Sequence, residues 1–184
     1  TESKNEKRKL KYTLQIIEKN NTKFCVNTHI TNKIIKYSLE NRLINSLKDY
    51  SIVRAEKKFG KDTRFDFFLT NLKNGKKAFL EVKSVSLCRH KYHAEFPDAI
   101  TERGTKHLKN LILANQQGYE SYLLFLIQIE GCKTFGIASD IDPLYFNMFK
   151  KAIKKNVNVL CYDCKFSNKG LEINKKINIL INNK

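Results

Sequence analysis

Arg64-Phe65-Asp66-Phe67-Phe68-Leu69-Thr70, then Asn71-Leu72-Lys73-Asn74-Gly75-Lys76, then Lys77-Ala78-Phe79-Leu80-Glu81-Val82-Lys83: in these twenty residues the chain runs out, turns and returns. Two short runs rich in aromatic and aliphatic residues flank an Asn-Gly element, the pattern of a β-hairpin. With residues 71–76 as the loop, Asp66 falls opposite Glu81. Side chains alternate along a strand, so Lys83 shares the face of Glu81 and Arg64 that of Asp66. The opposite face is expected to carry Phe65, Phe67, Leu69, Ala78, Leu80 and Val82 as a continuous apolar surface. Solvated acids on an open sheet face are the ordinary reading of such alternation. Two features weigh against it. Like charges directly opposite destabilise a sheet, and Phe68 and Phe79 share the acids' face, which implies that it is partly covered. Two facing carboxylates with a lysine beside them suit a hard divalent cation.

Outward from the hairpin, Ile34, Ile35, Leu39, Leu43 and Leu47 follow helical spacing, predicting a helix over Thr31–Leu47 capped by Thr31 or Asn32. Ser51–Phe59 reads as a strand. The segment from Lys83 through Pro97 reads as irregular. Thr101–Gln117 reads as a helix, with Leu108, Leu111, Ile112 and Asn115 on one stripe and Arg103, Lys106, His107 and Asn110 on another. Ser121–Ile129 suits a strand buried on both faces. Asp142-Pro143 opens a further helix. Val157–Phe166 and Leu171–Ile181 read as closing strands around Asn168-Lys169-Gly170. Before all of these, residues 1–11 are a charged run, and Tyr12–Glu18 and Thr22–Thr28 read as two short strands.

The order from Thr31 to Ile129 is helix, three strands, helix, strand. It predicts an α/β fold, a mixed sheet flanked by helices with the acids on its second and third strands, and in this it resembles the restriction-endonuclease-like core of the PD-(D/E)xK superfamily.

The chain has 184 residues, 41% of them hydrophobic, enough for one domain with a small appendage. A net charge of +17 points to a polyanionic partner, most simply nucleic acid, although the preference for Lys, Asn and Ile is also what an AT-rich coding sequence gives. Five cysteines in irregular positions suggest free thiols in a reducing cytoplasm. The lone Cys161-x-x-Cys164 and the loose Cys88, His90, His93 group lack the four-ligand spacing of structural zinc. No apolar run reaches the length of a membrane span, so no membrane partner is expected.

Several blocks resemble the sugar fermentation stimulation protein A family: Val53-Arg54-Ala55-Glu56-Lys57-Lys58-Phe59-Gly60, Arg64-Phe65-Asp66-Phe67, Glu81-Val82-Lys83-Ser84-Val85, and Phe96-Pro97-Asp98-Ala99-Ile100-Thr101-Glu102-Arg103-Gly104. The last is the most specific, and the likeness runs over nearly the whole chain. The resemblance implies an N-terminal OB-fold followed by a nuclease-like domain. Residues 1–28 would then be remnant C-terminal OB strands, and 29–184 the PD-(D/E)xK domain. The net charge and the lack of a groove-reading helix motif predict DNA gripped largely without sequence preference, and the resemblance implies a DNA-binding protein linked to regulation of sugar (maltose) metabolism. It also implies a catalytic set of Asp66, Glu81 and Lys83, with Asp66, Glu81 and the Val82 carbonyl holding Mg²⁺ or Mn²⁺. Glu56 and Asp98 are expected as outer ligands or as groups that support the ligands from behind, and Arg64, Arg103 and Lys106 as phosphate contacts. Two departures from the family pattern stand out: Thr105 where Gln is usual and Lys33 where Arg is usual. Two readings stay open, a Mg²⁺-dependent nuclease and a DNA-binding regulator that uses the same fold without turnover.

Overall fold

A computed structural model describes residues 1–168 and 170–181. Its elements are β1 (Ile16–Lys19), β2 (Thr22–Cys25), α1 (Thr31–Glu40), β3 (Ile52–Phe59), β4 (Thr63–Thr70), β5 (Lys77–Val85), β6 (Leu87–His90), β7 (His93–Phe96), α2 (Glu102–Gln116), β8 (Glu120–Ile127), β9 (Thr134–Ile137), α3 (Pro143–Lys154), β10 (Asn158–Ser167), β11 (Gly170–Lys176) and β12 (Asn178–Leu180).

The main sheet has six strands in the order β11-β10-β8-β5-β4-β3. Its centre, β5-β8-β10, is parallel, and antiparallel pairs close both sides. This is the mixed sheet expected from the succession of elements. On one face α1 covers a core built on Ile35, Leu39, Phe67, Leu69, Leu80 and Leu124. On the other, α2 and α3 enclose Phe65, Leu108, Leu111, Phe125, Tyr145 and Phe149. Strand β8 is buried along nearly its whole length, because helices lie on both sides of it.

The hairpin register is the expected one: Thr70 pairs with Lys77, Leu69 with Ala78, Phe68 with Phe79 and Phe67 with Leu80. Asn71 and Asn74 build the turn by accepting from the backbone N–H of Lys73 and Lys76, and Gly75 takes the left-handed φ of +72°. Beyond Phe67 the ladder stops. Phe65 packs with Phe79 and His107 on the α2 side, whereas Phe67 joins the α1 core. The apolar face predicted to run through both residues is therefore broken at Asp66. The cause lies on the neighbouring strand. Glu56 adopts φ +58°, and the β3–β4 ladder, intact at Ala55–Phe67 and Lys57–Phe65, lacks the pair between them.

Other expectations shift in detail. The helix predicted to run to Leu47 ends at Glu40, where the Asn41 side chain donates to the Tyr37 carbonyl and Arg42 turns left-handed; a short 3₁₀ turn over Asn45–Leu47 follows. The segment read as irregular holds β6 and β7, which join β9 and β12 in a second sheet of order β12-β9-β7-β6. The single strand read over Leu171–Ile181 is two, split at Ile177, with β11 on the main sheet and β12 on the second. The turn read at Asn168-Lys169-Gly170 includes Lys169, which lies outside the described residues. Among the described residues, strands β1 and β2 pair only with each other, apart from a bridge between Phe24 and Ile129. All five cysteines are free, and Cys161 and Cys164 are buried in opposite cores. Among the described residues no helix is long and apolar enough to cross a membrane.

Candidate active site

The two acids meet where β4 and β5 part. Each Asp66 oxygen is taken: Oδ2 accepts from the Val82 N–H at 2.8 Å, and Oδ1 from the Asn32 amide at 2.8 Å. Asn32 lies in the first turn of α1, so helix and hairpin fix one carboxylate between them. Burial, and next the charge of Glu81, push the Asp66 carboxyl above its ordinary pKa; the Val82 and Asn32 hydrogen bonds and the Lys83 charge offset only part of this.

Glu81 is 3% exposed. Its Oε1 accepts from Lys83 Nζ at 2.6 Å and lies against His107 Nδ1. A carboxylate can only accept, so His107 carries its proton on Nδ1. Burial pushes the Glu81 carboxyl up, but the His107 hydrogen bond and the Lys83 charge outweigh it and hold the group below its ordinary value. Glu81 Oε2 is buried and has no hydrogen-bond partner among the described residues; the same holds for Thr31 Oγ1. Both residues line one cleft of about 380 Å³, together with Asp66, Val82, Lys83 and Arg103.

Helix α2 presents its side of the site through a set of close contacts. Thr101 caps it by accepting from the Gly104 N–H, and the buried Asp142 accepts from the backbone N–H groups of both Thr101 and Tyr145. One carboxylate thus ties together the starts of α2 and α3. A side chain at Gly104 would press on Thr101 Oγ1 at 2.8 Å and on the Tyr145 ring at 3.1 Å, so the helix can seat this close only with glycine there. That seating brings Arg103 to the cleft and His107 to Glu81.

The structure brings Asp66, Glu81, Val82, Lys83 and Arg103 together. It does not bring in the other residues singled out from the sequence. Arg64 and Glu56 form an exposed ion pair with each other at 2.9 Å. Asp98 is exposed and does not line the cleft, and Lys106 lines a different groove. His107 and Asn32 were missed as site residues. His107 sits one helical turn after Arg103 on the same polar stripe, which was its only local signal.

The residues fit a hard divalent cation. They offer two carboxylates and a backbone carbonyl, hard oxygen donors of the kind Mg²⁺ takes while keeping several waters, and one carboxylate oxygen is buried without a partner. Among the described residues no three His, Cys, Asp or Glu side chains converge into a ready-made cage, here or at Cys88, His90 and His93.

Comparison with known proteins gives the following. The family described as the sugar fermentation stimulation protein RE domain matches residues 29–170. The chain is 51% identical over 180 residues to the sugar fermentation stimulation protein homolog of Pelagibacter ubique, a match covering 97% of this chain and 77% of that protein. To the homolog of Bartonella tribocorum it is 39% identical over 167 residues, covering 91% and 70% respectively. The solved structure of Pyrococcus furiosus SfsA in complex with Ca²⁺ superposes with a TM-score of 0.87 at 22% identity, covering 98% of this chain and 76% of that one, which shows a shared fold.

Proposed function

We propose that this chain, which belongs to the sugar fermentation stimulation protein family, hydrolyses phosphodiester bonds of DNA at the Asp66–Glu81–Lys83 cleft with the help of Mg²⁺ or Mn²⁺. The observation that carries this reading is Glu81, a carboxylate 3% exposed with one oxygen unpartnered. A buried charged oxygen without a partner is costly and persists where a ligand takes it up. Asp66, Glu81 and the Val82 carbonyl would hold the cation. When bound, it would acidify a water and neutralise charge gathering on the phosphate. That the Pyrococcus relative is described with Ca²⁺ supports a divalent ion without choosing among them.

The chain's own residues have distinct tasks. The Val82 N–H and Asn32 hold Asp66 at both oxygens, leaving the outward lone pairs to bind. His107 and Lys83 both grip Glu81 Oε1, which aims Oε2 away from them. Lys83 keeps an ammonium beside the carboxylates, where it can meet a scissile phosphate or orient the attacking water. Arg103, exposed on the cleft wall, suits a flanking phosphate. The net charge of +17 suits DNA held through its backbone, largely without sequence preference and with affinity falling steeply as salt rises.

One observation favours the second reading, a DNA-binding regulator of sugar metabolism without turnover. Three of the four carboxylate oxygens in the site already have donors. Calorimetry with Mn²⁺ on wild type and Asp66→Asn separates the two, alongside incubation with plasmid and single-stranded DNA in Mg²⁺, Mn²⁺ or chelator. The nuclease reading expects Mn²⁺ binding that weakens sharply in Asp66→Asn and cleavage only with metal. Equal Mn²⁺ binding by both proteins, or no cleavage with any divalent cation, leaves the regulator.

A further inference from the structure

Along α2 and its C-cap, Arg103, Lys106, Asn110, Leu113 and Gln117 follow one stripe at three- and four-residue spacing. Arg103 borders the carboxylate cleft; the other four wall a second groove of about 860 Å³ between α2 and the β3–β4 edge of the sheet. Six cations line this groove, Arg54, Lys57, Lys58, Lys61, Lys77 and Lys106, against one carboxylate, Asp62. Its floor is aromatic. Phe79 is the hub, with ring centroids 5.2 Å from Phe59, 4.9 Å from Phe68 and 5.0 Å from Tyr119. Phe79 itself is buried, while the three rings around it are half-exposed into the groove. Through Phe65, which contacts both Phe59 and His107, the floor continues to the carboxylate site.

Surface lysines alone are a default, and an aromatic cluster alone is the edge of a core. Their coincidence in one groove is more selective. A duplex shows its surroundings phosphates and sugars and hides the flat faces of its bases. An unpaired strand shows both phosphates and base faces, and aromatic rings rimmed by cations are the arrangement that receives it. Lys57 already stands over the Phe68 ring, 5.8 Å from its centroid.

We propose that this groove binds an unpaired stretch of nucleic acid, with bases on the Phe59–Phe68–Tyr119 floor and phosphates on the lysines. The strand then runs along α2 to the carboxylate cleft; this last step rests on the nuclease reading, whereas binding in the groove does not.

The test is fluorescence anisotropy of a labelled oligo-dT and a duplex of equal length, in chelator so that no cleavage intervenes. Wild type should bind the single strand more tightly. Lys57→Glu/Lys58→Glu, two exposed positions, should weaken single-strand binding at least about tenfold and reduce the salt slope by roughly 0.7 for each phosphate no longer neutralised. Tyr119→Leu, which keeps the floor apolar, should weaken it roughly tenfold and leave duplex binding unchanged. The chain has no tryptophan, so Tyr119→Trp adds a single reporter whose emission oligo-dT should quench. Equal affinity for both nucleic acids, or oligo-dT binding unaltered in the charge-reversal and Tyr119→Leu variants and without quenching, overturns the proposal. The two readings fail separately. If the groove variants lose oligo-dT while wild type never cuts DNA, the groove stands and the nuclease reading falls. If wild type cuts and the groove variants bind and cut as it does, the groove alone is wrong.

Discussion

Two acid clusters in this molecule are built on opposite terms. In the second sheet one guanidinium, Arg89, holds two carboxylates with a fork to each: Nε and Nη2 donate to Glu95 at 2.9 and 2.7 Å, Nη1 and Nη2 to Asp140 at 2.5 and 2.9 Å. Hydrogen bonds from Arg89 hold Glu95 below its ordinary pKa and draw Asp140 down to about 2. In the main sheet the balance is incomplete: His107 and Lys83 hold Glu81 below its ordinary pKa. Asp66, however, is pushed up by burial and by Glu81, and one Glu81 oxygen has no partner among the described residues. The first cluster looks like structure and the second like a site prepared for something the chain does not itself supply. Satisfied charge holds a fold together; unsatisfied buried charge awaits a ligand.

The sharpest way to break this contrast is Lys83→Ala. Lys83 touches Glu81 Oε1 and comes within 3.5 Å of His107, which on the nuclease reading makes it part of the reacting cluster. Cleavage should fall by roughly 10²–10⁴-fold, the range for a group acting on the attacking water or the developing charge. DNA affinity should change by no more than about one phosphate contact, a slope of roughly 0.9 in log affinity against log salt. If Lys83→Ala cuts DNA as fast as wild type, its place beside Glu81 serves only to pair a buried charge.

Arg89→Ala should do the reverse. It removes both forks and leaves Glu95, 7% exposed, without its cation. The melting temperature and urea midpoint should drop clearly, with cleavage by the folded protein unchanged. The pH dependence carries a sign. Both carboxyls have folded-state pKa values below their ordinary ones, so their contribution is fully present above about 4.5 and is lost as pH falls through the lowered values, about 2 for Asp140. Wild type should therefore lose stability steeply over that acid window, and Arg89→Ala should show a shallower loss. Equal slopes in the two proteins would mean that the forks do not set the acid response. Asp66 works against this trend, since protonating a group whose pKa is raised relieves a cost of the folded state; Asp66→Asn, in chelator, should be at least as stable as wild type at neutral pH.

The same contrast separates what was legible in the sequence from what was not. The β4–β5 register, the Asn-Gly turn and the convergence of Asp66, Glu81 and Lys83 follow from alternation and turn chemistry, which act over a few residues. The site also depends on partners distant in the chain. His107 reaches Glu81 from 26 residues away and Asn32 reaches Asp66 from 34, through the seating of helices that no local pattern records. The second sheet stayed hidden for a related reason. Strands of three or four residues leave too little alternation to read, and β9 finds its partners β7 and β12 only across long separations. The Arg89 cluster, which joins β6, β7 and the segment after β9, went unseen with it. The break in the apolar face at Phe65 was hidden differently, because it stems from a left-handed residue on the adjacent strand, which side-chain alternation does not encode.

That residue, Glu56, supplies the smallest expected effect. In register it would face Asp66, yet its φ of +58° accompanies a side chain turned outward to Arg64 in an exposed pair. Two modest energies compete there. The left-handed conformation costs an ordinary residue about 1–2 kcal/mol, which glycine does not bear. The exposed ion pair contributes about 0–1 kcal/mol. Glu56→Ala keeps the strain and loses the pair, so it should be neutral or slightly destabilising. Glu56→Gly loses the pair but also the strain, so it should be the more stable of the two variants. Both should cut DNA at the wild-type rate, because the cleft around Asp66 and Glu81 does not include position 56. Measuring melting temperature and cleavage for the pair decides the matter. A cleavage defect shared by both variants would return Glu56 to the site, whereas a defect in Glu56→Gly alone would show that the kink itself, by holding β3 away from Asp66, keeps that carboxylate turned towards the Val82 N–H.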